Sequence, residues 1–473
     1  MLFSSITFLY GFLPLTLALY FIIPQPPGSP RNRRFRGVEK GSPSIRNALL
    51  LGASLVFYAW GEPRYVLLML AQCLAAWAFG LGIEKWRGRR AGKLLFVLSC
   101  CTSLSALLFF KYTDFVLANL RLEPLRLALP IGISFYTFQV MSYTIDLYRG
   151  DVPVQRNPFT LMTYIALFPQ LIAGPIVRYA DVAKGLVHRS HSMEDFARGA
   201  ERFVIGLAKK VLLANTLGQL VEHVRGQPNA LAAWVYLLAY TLHIYFDFSG
   251  YSDMAIGMGR MLGFRFLENF DYPYTSRSVA EFWRRWHMSL GSWFRDYVYI
   301  PMGGNRVKPL RYCLNILVVW GLTGFWHGAN WNFMLWGLYY GLLLLFEKFV
   351  LKGRQERWPR ALQHVYGLLA VGMGFVLFDC VRLADAGAAY AALFGLKGGM
   401  SGEALYYLRS YAVPLVLGIL GATPLPARLA KKFREKAPGI FTVLTLAGMA
   451  ILLAIVTASL VDGSFNPFIY FRF

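Results

Sequence analysis

Long apolar runs recur along the whole of this 473-residue chain, and they restrict its fold more than any other feature. Each run has about 17 to 25 residues, the length of an α-helix that crosses a bilayer. Only 15% of the residues are charged, whereas soluble domains have about 25%. No polar interval is long enough to fold as a separate soluble domain. The sequence therefore predicts an all-α polytopic membrane protein, with a single membrane domain over residues 1–473.

The net charge of +23 comes mostly from short segments between the apolar runs. Such basic loops normally stay in the cytoplasm, so we expect four of them on that side and both chain termini outside. The cytoplasmic loops account for most of the positive charge, so the charge does not indicate nucleic-acid binding. A basic cytoplasmic face would also attract a polyanionic donor such as a coenzyme A thioester. The four clusters are Arg31, Arg33, Arg34, Arg36, Lys40 and Arg46; Lys85, Arg87, Arg89, Arg90 and Lys93; Lys348, Lys352, Arg354, Arg357 and Arg360; and Arg428, Lys431, Lys432, Arg434 and Lys436.

The apolar runs also predict a layout of helices. The first, residues 2–23, is followed rather than preceded by basic residues, so it should remain as a span and not be removed as a signal peptide. Residues 159–177 contain Pro169 and Gly174-Pro175 and predict a broken or re-entrant helix. Residues 462–473 indicate an aromatic interfacial tail. Further helices are expected at 46–61, 63–83, 94–118, 130–148, 196–222, 230–250, 311–330, 332–350, 362–383, 406–424 and 439–461.

The five cysteines lie within apolar segments. They show neither the spacing of metal ligands nor a disulfide framework, so we interpret them as small packing residues. Neither a metal site nor a bound cofactor is expected from them. They are Cys73, Cys100, Cys101, Cys313 and Cys380.

One histidine, His327, stands in an otherwise apolar, aromatic or small string, Gly321-Leu-Thr-Gly-Phe-Trp-His-Gly-Ala-Asn-Trp331. A titratable ring is costly in such surroundings unless it is paired or has a function. Imidazole is also the side chain best suited to move a proton near neutral pH. Gly324 and Gly328 are expected to leave space for a substrate beside it. The alternative is a core histidine bonded to a backbone carbonyl.

A second histidine, His287, lies in the string Glu281-Phe-Trp-Arg-Arg-Trp-His-Met-Ser-Leu290. The segment 282–306 is too polar for an ordinary span, and it predicts a short amphipathic or re-entrant helix beside a water-accessible funnel. The alternative is an interfacial helix that only anchors the protein. Two such unusual strings favour a reaction centre over two unrelated structural histidines.

A third polar string, His243-Ile-Tyr-Phe-Asp247-Phe-Ser-Gly250, opens this region of the sequence. In a helix His243 and Asp247 lie on one face at i and i+4, so they are expected to pair. Such a pair would be a structural bridge or part of a cavity wall. The following glycines, Gly250, Gly257 and Gly259, allow either close helix contact or a break.

Together these strings resemble the membrane-bound O-acyltransferase family, specifically its bacterial alginate O-acetyltransferase-like branch. The matching strings are spread over most of the chain, with the core within about residues 160–350. They are Pro169-Gln-Leu-Ile-Ala-Gly-Pro175, Phe246-Asp-Phe-Ser-Gly-Tyr-Ser-Asp-Met-Ala-Ile-Gly257, Glu281-Phe-Trp-Arg-Arg-Trp-His-Met-Ser-Leu290, Trp293-Phe-Arg-Asp-Tyr-Val-Tyr-Ile-Pro-Met-Gly-Gly-Asn-Arg306, Gly324-Phe-Trp-His-Gly-Ala-Asn-Trp331 and Asn466-Pro-Phe-Ile-Tyr-Phe-Arg-Phe473.

The resemblance implies a ring of roughly a dozen transmembrane helices around a thin centre with a funnel. It implies that His327 is catalytic and that His287 is a second, less universal site residue. The implied donor is cytoplasmic acetyl-coenzyme A. This protein would be an enzyme of the bacterial inner membrane. It would pass acetyl groups to an exopolysaccharide such as alginate through a periplasmic partner acetyltransferase. Cellulose and peptidoglycan remain alternative acceptors.

These placements suggest a mechanism in which His327 accepts the proton of an acceptor hydroxyl and later protonates the leaving thiolate. An acetyl-histidine intermediate remains an alternative route. His287 would orient the acceptor or hold the developing oxyanion. Competing hypotheses are a non-enzymatic glycan transporter, a glycosyltransferase and a non-catalytic scaffold.

Overall fold

The computed structural model describes residues 1–23 and 45–463, and every regular element in these two ranges is helical. The protein is an all-α polytopic membrane protein. Most of the first basic cluster and the predicted aromatic tail from residue 464 onward lie outside the described residues. The described residues divide into two compact units, which are residues 1–23 and 45–203 with 254–267, and residues 204–253 with 268–463.

The first unit begins with a π-helical segment, Thr7–Phe12, that continues into α1. Its helices are α1 (Leu13–Ile22), α2 (Ile45–Ala59), α3 (Tyr65–Lys85), α4 (Arg90–Asn119), α5 (Ile133–Arg149), α6 (Pro158–Ala166), α7 (Phe168–Leu171), α8 (Tyr179–Val187) and the greater part of α9 (Met193–Ala208).

The second unit contains the chemistry-bearing strings of the sequence. Its helices are α10 (Asn215–Val224), most of α11 (Ala230–Met261), α12 (Val279–Arg285), α13 (Met288–Phe294), α14 (Pro309–His327), α15 (Trp331–Phe346), α16 (Arg360–Asp379), α17 (Leu383–Leu393), α18 (Gly402–Ser410), α19 (Ala412–Gly421), α20 (Leu425–Lys436) and α21 (Pro438–Asp462). A π-helical segment, Lys209–Ala214, joins α9 to α10.

Seven helices among the described residues are long and apolar enough to cross a membrane, and the bent pair α18–α19 makes an eighth if it counts as one span. The apolar helices 7–22 and 45–59 are shorter than this length. The helix predicted at 406–424 is broken in the structure, because α18 and α19 meet at an angle of 57°. Pro414 explains the break: its ring clashes with the carbonyl four residues earlier, at Ser410, where α18 ends.

The broken helix predicted over 159–177 is confirmed. Asn157 caps α6 by accepting a hydrogen bond from the backbone N–H of Phe159 at 2.9 Å. The helix ends at Ala166, and the short α7 follows after one non-helical residue, Leu167. Pro169 lies in the first turn of α7, where a missing N–H costs no helical hydrogen bond.

The helix predicted at 230–250 is longer, because α11 runs without interruption to Met261. Its glycines therefore serve close contact and not a break. A Cβ atom added to Gly250 would lie 2.7 Å from the carbonyl oxygen of Gly206, within the second unit. In the first unit, a Cβ atom added to Gly257 would lie 2.6 Å from the carbonyl oxygen of Gly199. At both points helix backbones touch directly.

The segment predicted to be short and re-entrant is built from α12, α13 and a π-helical segment, Arg295–Tyr299. None of these elements is long enough to cross a bilayer. Ser278 caps α12, since its hydroxyl accepts from the N–H of Glu281 at 3.0 Å. The carboxylate of Glu347 also accepts from the backbone of Val279, at 2.7 Å, and of Ala280, at 3.0 Å. These bonds fix α12 against the region after α15.

Candidate active site

His327 is the last residue of α14, and only 6% of its surface is exposed. Three aromatic side chains surround its imidazole edge-on. The ring centroids of Trp326 and Trp336 both lie 5.0 Å away, and that of Phe378 lies 5.3 Å away. Such an enclosure excludes bulk water from the imidazole.

A buried side-chain amide, that of Asn332, fixes the backbone at Phe378, one of the enclosing residues. Asn332, in the first turn of α15, donates from its side chain to the carbonyl oxygen of Phe378 at 3.2 Å. This bond ties the end of α16 to the start of α15, next to His327. Asn330 caps α15 by accepting from the N–H of Trp331 at 2.7 Å. The loop after His327 is therefore anchored by Asn330 at its end and by Asn332 in the helix that follows.

The expectation that Gly324 and Gly328 leave space for a substrate is wrong. A Cβ atom on Gly324 would lie 2.3 Å from the carbonyl oxygen of Phe333, and one on Gly328 would lie 2.2 Å from the ring of Phe333. A Cβ atom on Gly337 would likewise lie 2.3 Å from the carbonyl oxygen of Trp320. These glycines let α14 and α15 pack backbone against backbone, which places His327 but adds no room beside it.

His287 lies between α12 and α13 in a left-handed backbone conformation, with φ of 46° and ψ of 52°. A residue with a side chain adopts this conformation only where its surroundings enforce it, and such strain is frequent at functional sites. The side chain is 3% exposed. Its imidazole lies edge-on to Phe248, with 4.7 Å between ring centroids.

The hydrogen bonds around His287 identify its tautomer. Its Nδ1 lies 3.1 Å from the side-chain oxygen of Asn269. That oxygen also accepts from the N–H of Ser289 at 3.3 Å and from the Ser289 hydroxyl at 2.8 Å, so the amide orientation is set by its donors. Because the amide oxygen can only accept, Nδ1 carries the proton and Nε2 carries the lone pair.

His287 lies outside the candidate membrane spans, and burial lowers its pKa to about 3. Burial disfavours the charged imidazolium, and the neutral amide of Asn269 does not compensate for the lost hydration. His287 is therefore a neutral hydrogen-bond acceptor at Nε2 throughout the physiological pH range.

The two histidines predicted for the site both lie near one indole, that of Trp326. Trp326 is 5.0 Å from the ring of His327 and 6.1 Å from the ring of His287, measured between centroids. Residues of α14 and of the α12–α13 segment, 40 positions apart in the sequence, thus converge in the second unit.

The predicted pairing of His243 with Asp247 is wrong. Asp247 forms a buried ion pair with Lys210, with 2.6 Å between Oδ1 and Nζ and side chains only 1% and 2% exposed. Nδ1 of His243 instead lies 2.7 Å from the carbonyl oxygen of Ala214 and donates to it. The π-helical segment Lys209–Ala214 presents both partners, so a neighbouring helix replaces the expected contact within α11.

Sequence reasoning missed the polar residues that position the histidines, namely Asn269, Ser289 and Asn332, and also Lys210. Asn269 is 18 positions from His287 in the sequence. No local spacing rule connects the two. Lys210 belongs to a basic pair inside an apolar helix, and an intramembrane lysine of this kind is a signal that could have been followed to an acidic partner.

Residues 128–384, which include both histidines, match the family model described as the membrane-bound O-acyltransferase family. The chain belongs to this family. The membership makes the protein an acyltransferase, and it agrees with the multi-pass helical scaffold.

Named relatives cover much of the chain. The probable alginate O-acetylase of Azotobacter vinelandii is 37% identical over the full length of both chains. That of Pseudomonas aeruginosa is 41% identical over 83% of this chain and 75% of its own. The peptidoglycan O-acetyltransferase of Helicobacter pylori is 32% identical over 84% of this chain and 80% of its own. This membrane-bound O-acyltransferase is thus similar to O-acetylating proteins with different named acceptors.

Proposed function

We propose that this protein moves acetyl groups from cytoplasmic acetyl-coenzyme A across the bacterial inner membrane for O-acetylation of an exopolysaccharide such as alginate. The observation that carries the proposal is the enclosed imidazole of His327 beside Trp326 and His287. The similarity to two alginate O-acetylases, one over the full chain, supports the choice of acetyl group and acceptor class.

In the proposed reaction His327 is the catalytic base. A hydroxyl oxygen attacks the thioester carbonyl while His327 accepts the hydroxyl proton, and the tetrahedral intermediate then expels the thiolate. The thiolate takes the proton from the imidazolium, so the products are an O-acetyl ester and free coenzyme A. The aromatic enclosure limits hydrolysis of the thioester by excluding water.

The geometry of His287 favours one of its two proposed roles. A neutral imidazole with its proton on Nδ1 can accept a hydrogen bond at Nε2, but it cannot donate one there. We therefore assign His287 to orient the acceptor hydroxyl and not to stabilise an oxyanion. Asn269 and Ser289 act as positioning residues. The Asn269 oxygen accepts from Nδ1 of His287, the Ser289 hydroxyl donates to that oxygen, and Nε2 is left to face the substrate.

We further propose that the acetyl group reaches the polymer through a periplasmic partner acetyltransferase. The acetyl chemistry at His327 needs only a hydroxyl, which either the partner or the polymer can present. The 32% identity to a peptidoglycan O-acetyltransferase supports a second candidate, in which the acceptor is a cell-wall polymer. The two candidate acceptors are distinguished by measuring acetyl transfer from the purified protein to each polymer, with and without candidate partner proteins.

The test of acetyl transfer is acetyl-coenzyme A consumption per correctly inserted molecule, in wild type and in His327→Ala. We expect the variant to insert normally and to lose transfer. A variant that keeps its turnover per molecule would contradict the catalytic role, and it would favour a scaffold or glycan transporter.

A further inference from the structure

An open cavity of about 540 Å³ in the second unit lies along one face of α12. One wall comes from residues between 277 and 284, and the other comes from residues between 355 and 363, which lead into the first turn of α16. The volume is in the range of small-molecule sites, about 300–1,000 Å³. Lining residues with side chains suited to a charged ligand are Arg277, Arg284, Arg360, Glu281, Glu356 and Trp358.

The side chains that line the cavity carry a net positive charge. Arg277, Arg284 and Arg360 form no ion pair with any of the described residues. The carboxylate of Glu281 is already engaged, because it lies 2.8 Å from Arg285 and accepts from the backbone N–H of Arg277 at 2.9 Å. Three guanidinium groups therefore face one remaining carboxylate, that of Glu356. Arginine recognises phosphate through paired, charge-assisted hydrogen bonds.

The far wall of the cavity is preformed. Buried Gln363 donates to the carbonyl oxygens of Glu356, at 3.2 Å, and Trp358, at 2.8 Å, which fixes the loop. Gln355 lines the same wall and is 8% exposed, and its side-chain oxygen has no hydrogen-bond partner among the described residues. A buried acceptor of this kind needs a donor, which an amino group or hydroxyl of a ligand can supply. Half-buried Trp358 offers an aromatic face for a base.

The same short helix connects the cavity to the candidate active site. Ser278 and Arg284 line the cavity, and His287 follows two residues after α12 ends. The seven residues of α12 span about 10 Å. The cavity reaches Arg284, three residues before His287, so a pantetheine arm whose phosphates are held in the cavity can extend from there towards the candidate active site. Arg360, the first residue of α16, also belongs to a basic cluster expected on the cytoplasmic side.

We propose that this cavity binds the phosphate-bearing nucleotide end of the thioester donor, with Arg284 and Arg360 on the phosphates and Trp358 against the base. The inference rests on the proposed function, in which the donor is acetyl-coenzyme A. It assigns a donor subsite to residues outside the enclosure of His327, and it separates nucleotide recognition from acetyl chemistry.

The kinetic test compares two donors with the full-length protein in nanodiscs. Acetyl-coenzyme A carries the nucleotide, and S-acetylpantetheine carries the same thioester without it. For Arg284→Gln and Arg360→Gln we expect the KM for acetyl-coenzyme A to rise about 10-fold to 100-fold, with kcat nearly unchanged. The KM for S-acetylpantetheine should not change. Equal increases for both donors would overturn the assignment.

Arg357→Gln is the matched control, because Arg357 is exposed in the same basic loop but does not line the cavity. It removes the same charge at nearly the same place. We expect wild-type KM values for both donors in this variant. An increase equal to that of Arg360→Gln would show that general surface charge attracts the donor, and it would refute a specific cavity.

A direct binding measurement separates this inference from the proposed function. Adenosine 3′,5′-bisphosphate should bind the wild type and bind Arg284→Gln more weakly, whether or not acetyl transfer is detected. Binding without any transfer would contradict the donor chemistry and leave the nucleotide site standing. Absence of binding would overturn the site.

Phospholipid headgroups share the phosphate chemistry, so binding is measured in neutral phosphatidylcholine nanodiscs and in nanodiscs with added phosphatidylglycerol. A donor site should bind the bisphosphate in both. Displacement of the bisphosphate by phosphatidylglycerol, lost in Arg284→Gln, would instead assign the cavity to a lipid and overturn the proposal.

Discussion

At the scale of single residues, the two candidate histidines differ in what holds them. His327 is surrounded by aromatic rings, whereas His287 is fixed through Nδ1 by Asn269 in a strained backbone conformation. The first arrangement suits a base that gains and loses a proton, and the second suits a permanent hydrogen-bond acceptor.

We expect His287→Ala to lower acetyl transfer strongly but less completely than His327→Ala. Removal of a general base costs about 10²–10⁴-fold in rate, whereas loss of an orienting acceptor leaves the base in place. The measurement is kcat per inserted molecule for each variant. His223→Ala serves as control, because its exposed ring stacks on Tyr407 away from the site. Equal and complete loss at both site positions would indicate a concerted pair instead.

Asn269→Asp should make the reaction sensitive to acid. A carboxylate beside Nδ1 favours the imidazolium, so the pKa of His287 should rise from about 3 towards or above its ordinary value. Below that raised pKa the ring is protonated and Nε2 can no longer accept. Activity should therefore fall as pH decreases through the new pKa, whereas the pH profile of the wild type should show no such decrease from His287.

Ser289→Ala is the control, since it removes a hydrogen bond to Asn269 and adds no charge. An unchanged pH profile in Asn269→Asp would contradict the assigned role.

At the scale of helices, the site depends on the direct contact of α14 with α15. Gly324 and Gly337 bring the two backbones together at the end of α14 that carries His327. Close contacts of this kind replace the hydrophobic driving force that is missing between helices in lipid.

Gly324→Ala should disturb both folding and activity. The added methyl group has no room against the Phe333 carbonyl, and overpacking of this kind costs about 1–3 kcal/mol. Gly321→Ala, three residues earlier on α14, is a matched control because nothing lies within 4 Å of its added Cβ atom. Thermal unfolding in detergent and turnover per molecule measure the two effects. Equal behaviour of the two variants would refute the packing role.

Asp247→Asn should destabilise the second unit by about 3–5 kcal/mol, because it leaves the buried Lys210 charge without its counter-ion. Asp253→Asn provides the comparison. Its partner is the adjacent Lys209 at 2.7 Å, but these side chains are 15% and 26% exposed. Water can compensate part of that loss, so we expect a smaller decrease in the unfolding temperature. A larger effect at Asp253 would contradict the argument from burial.

At the scale of the whole molecule, alternating apolar and basic segments set the expected orientation in the membrane. Helix α20 carries five exposed basic residues immediately before α21, which is long enough to span the bilayer. Basic segments next to a span are retained in the cytoplasm.

We therefore predict that α20 faces the cytoplasm and that both chain termini face outward. Reporter fusions in the 427–436 segment and after α21 measure this directly. Fusions before α1 and in the 85–93 segment provide the matching points for the first half of the chain. A reporter in α20 that is active on the outer face would overturn the orientation of the C-terminal half.

The sequence by itself determined the membrane class, the broken helix over 159–177 and the two histidine strings. Each of these depends on neighbours in the chain: the length of an apolar run, a proline that cannot continue a helix, or a polar ring among apolar residues. The single-domain assignment, made from the apolar runs, remains a prediction, as do the funnel and the roles of the histidines that the resemblance implies.

Only the tertiary structure decided which residues meet. Lys210 and not His243 pairs with Asp247, Asn269 sets the tautomer of His287, and Gly324 of α14 touches the backbone of α15. Helical spacing indicates which side chains share a face, but a second helix can offer a partner with a stronger charge or a better-placed oxygen. In a lipid-facing protein every buried polar group must find a partner within the protein, and the packing of distant segments selects it.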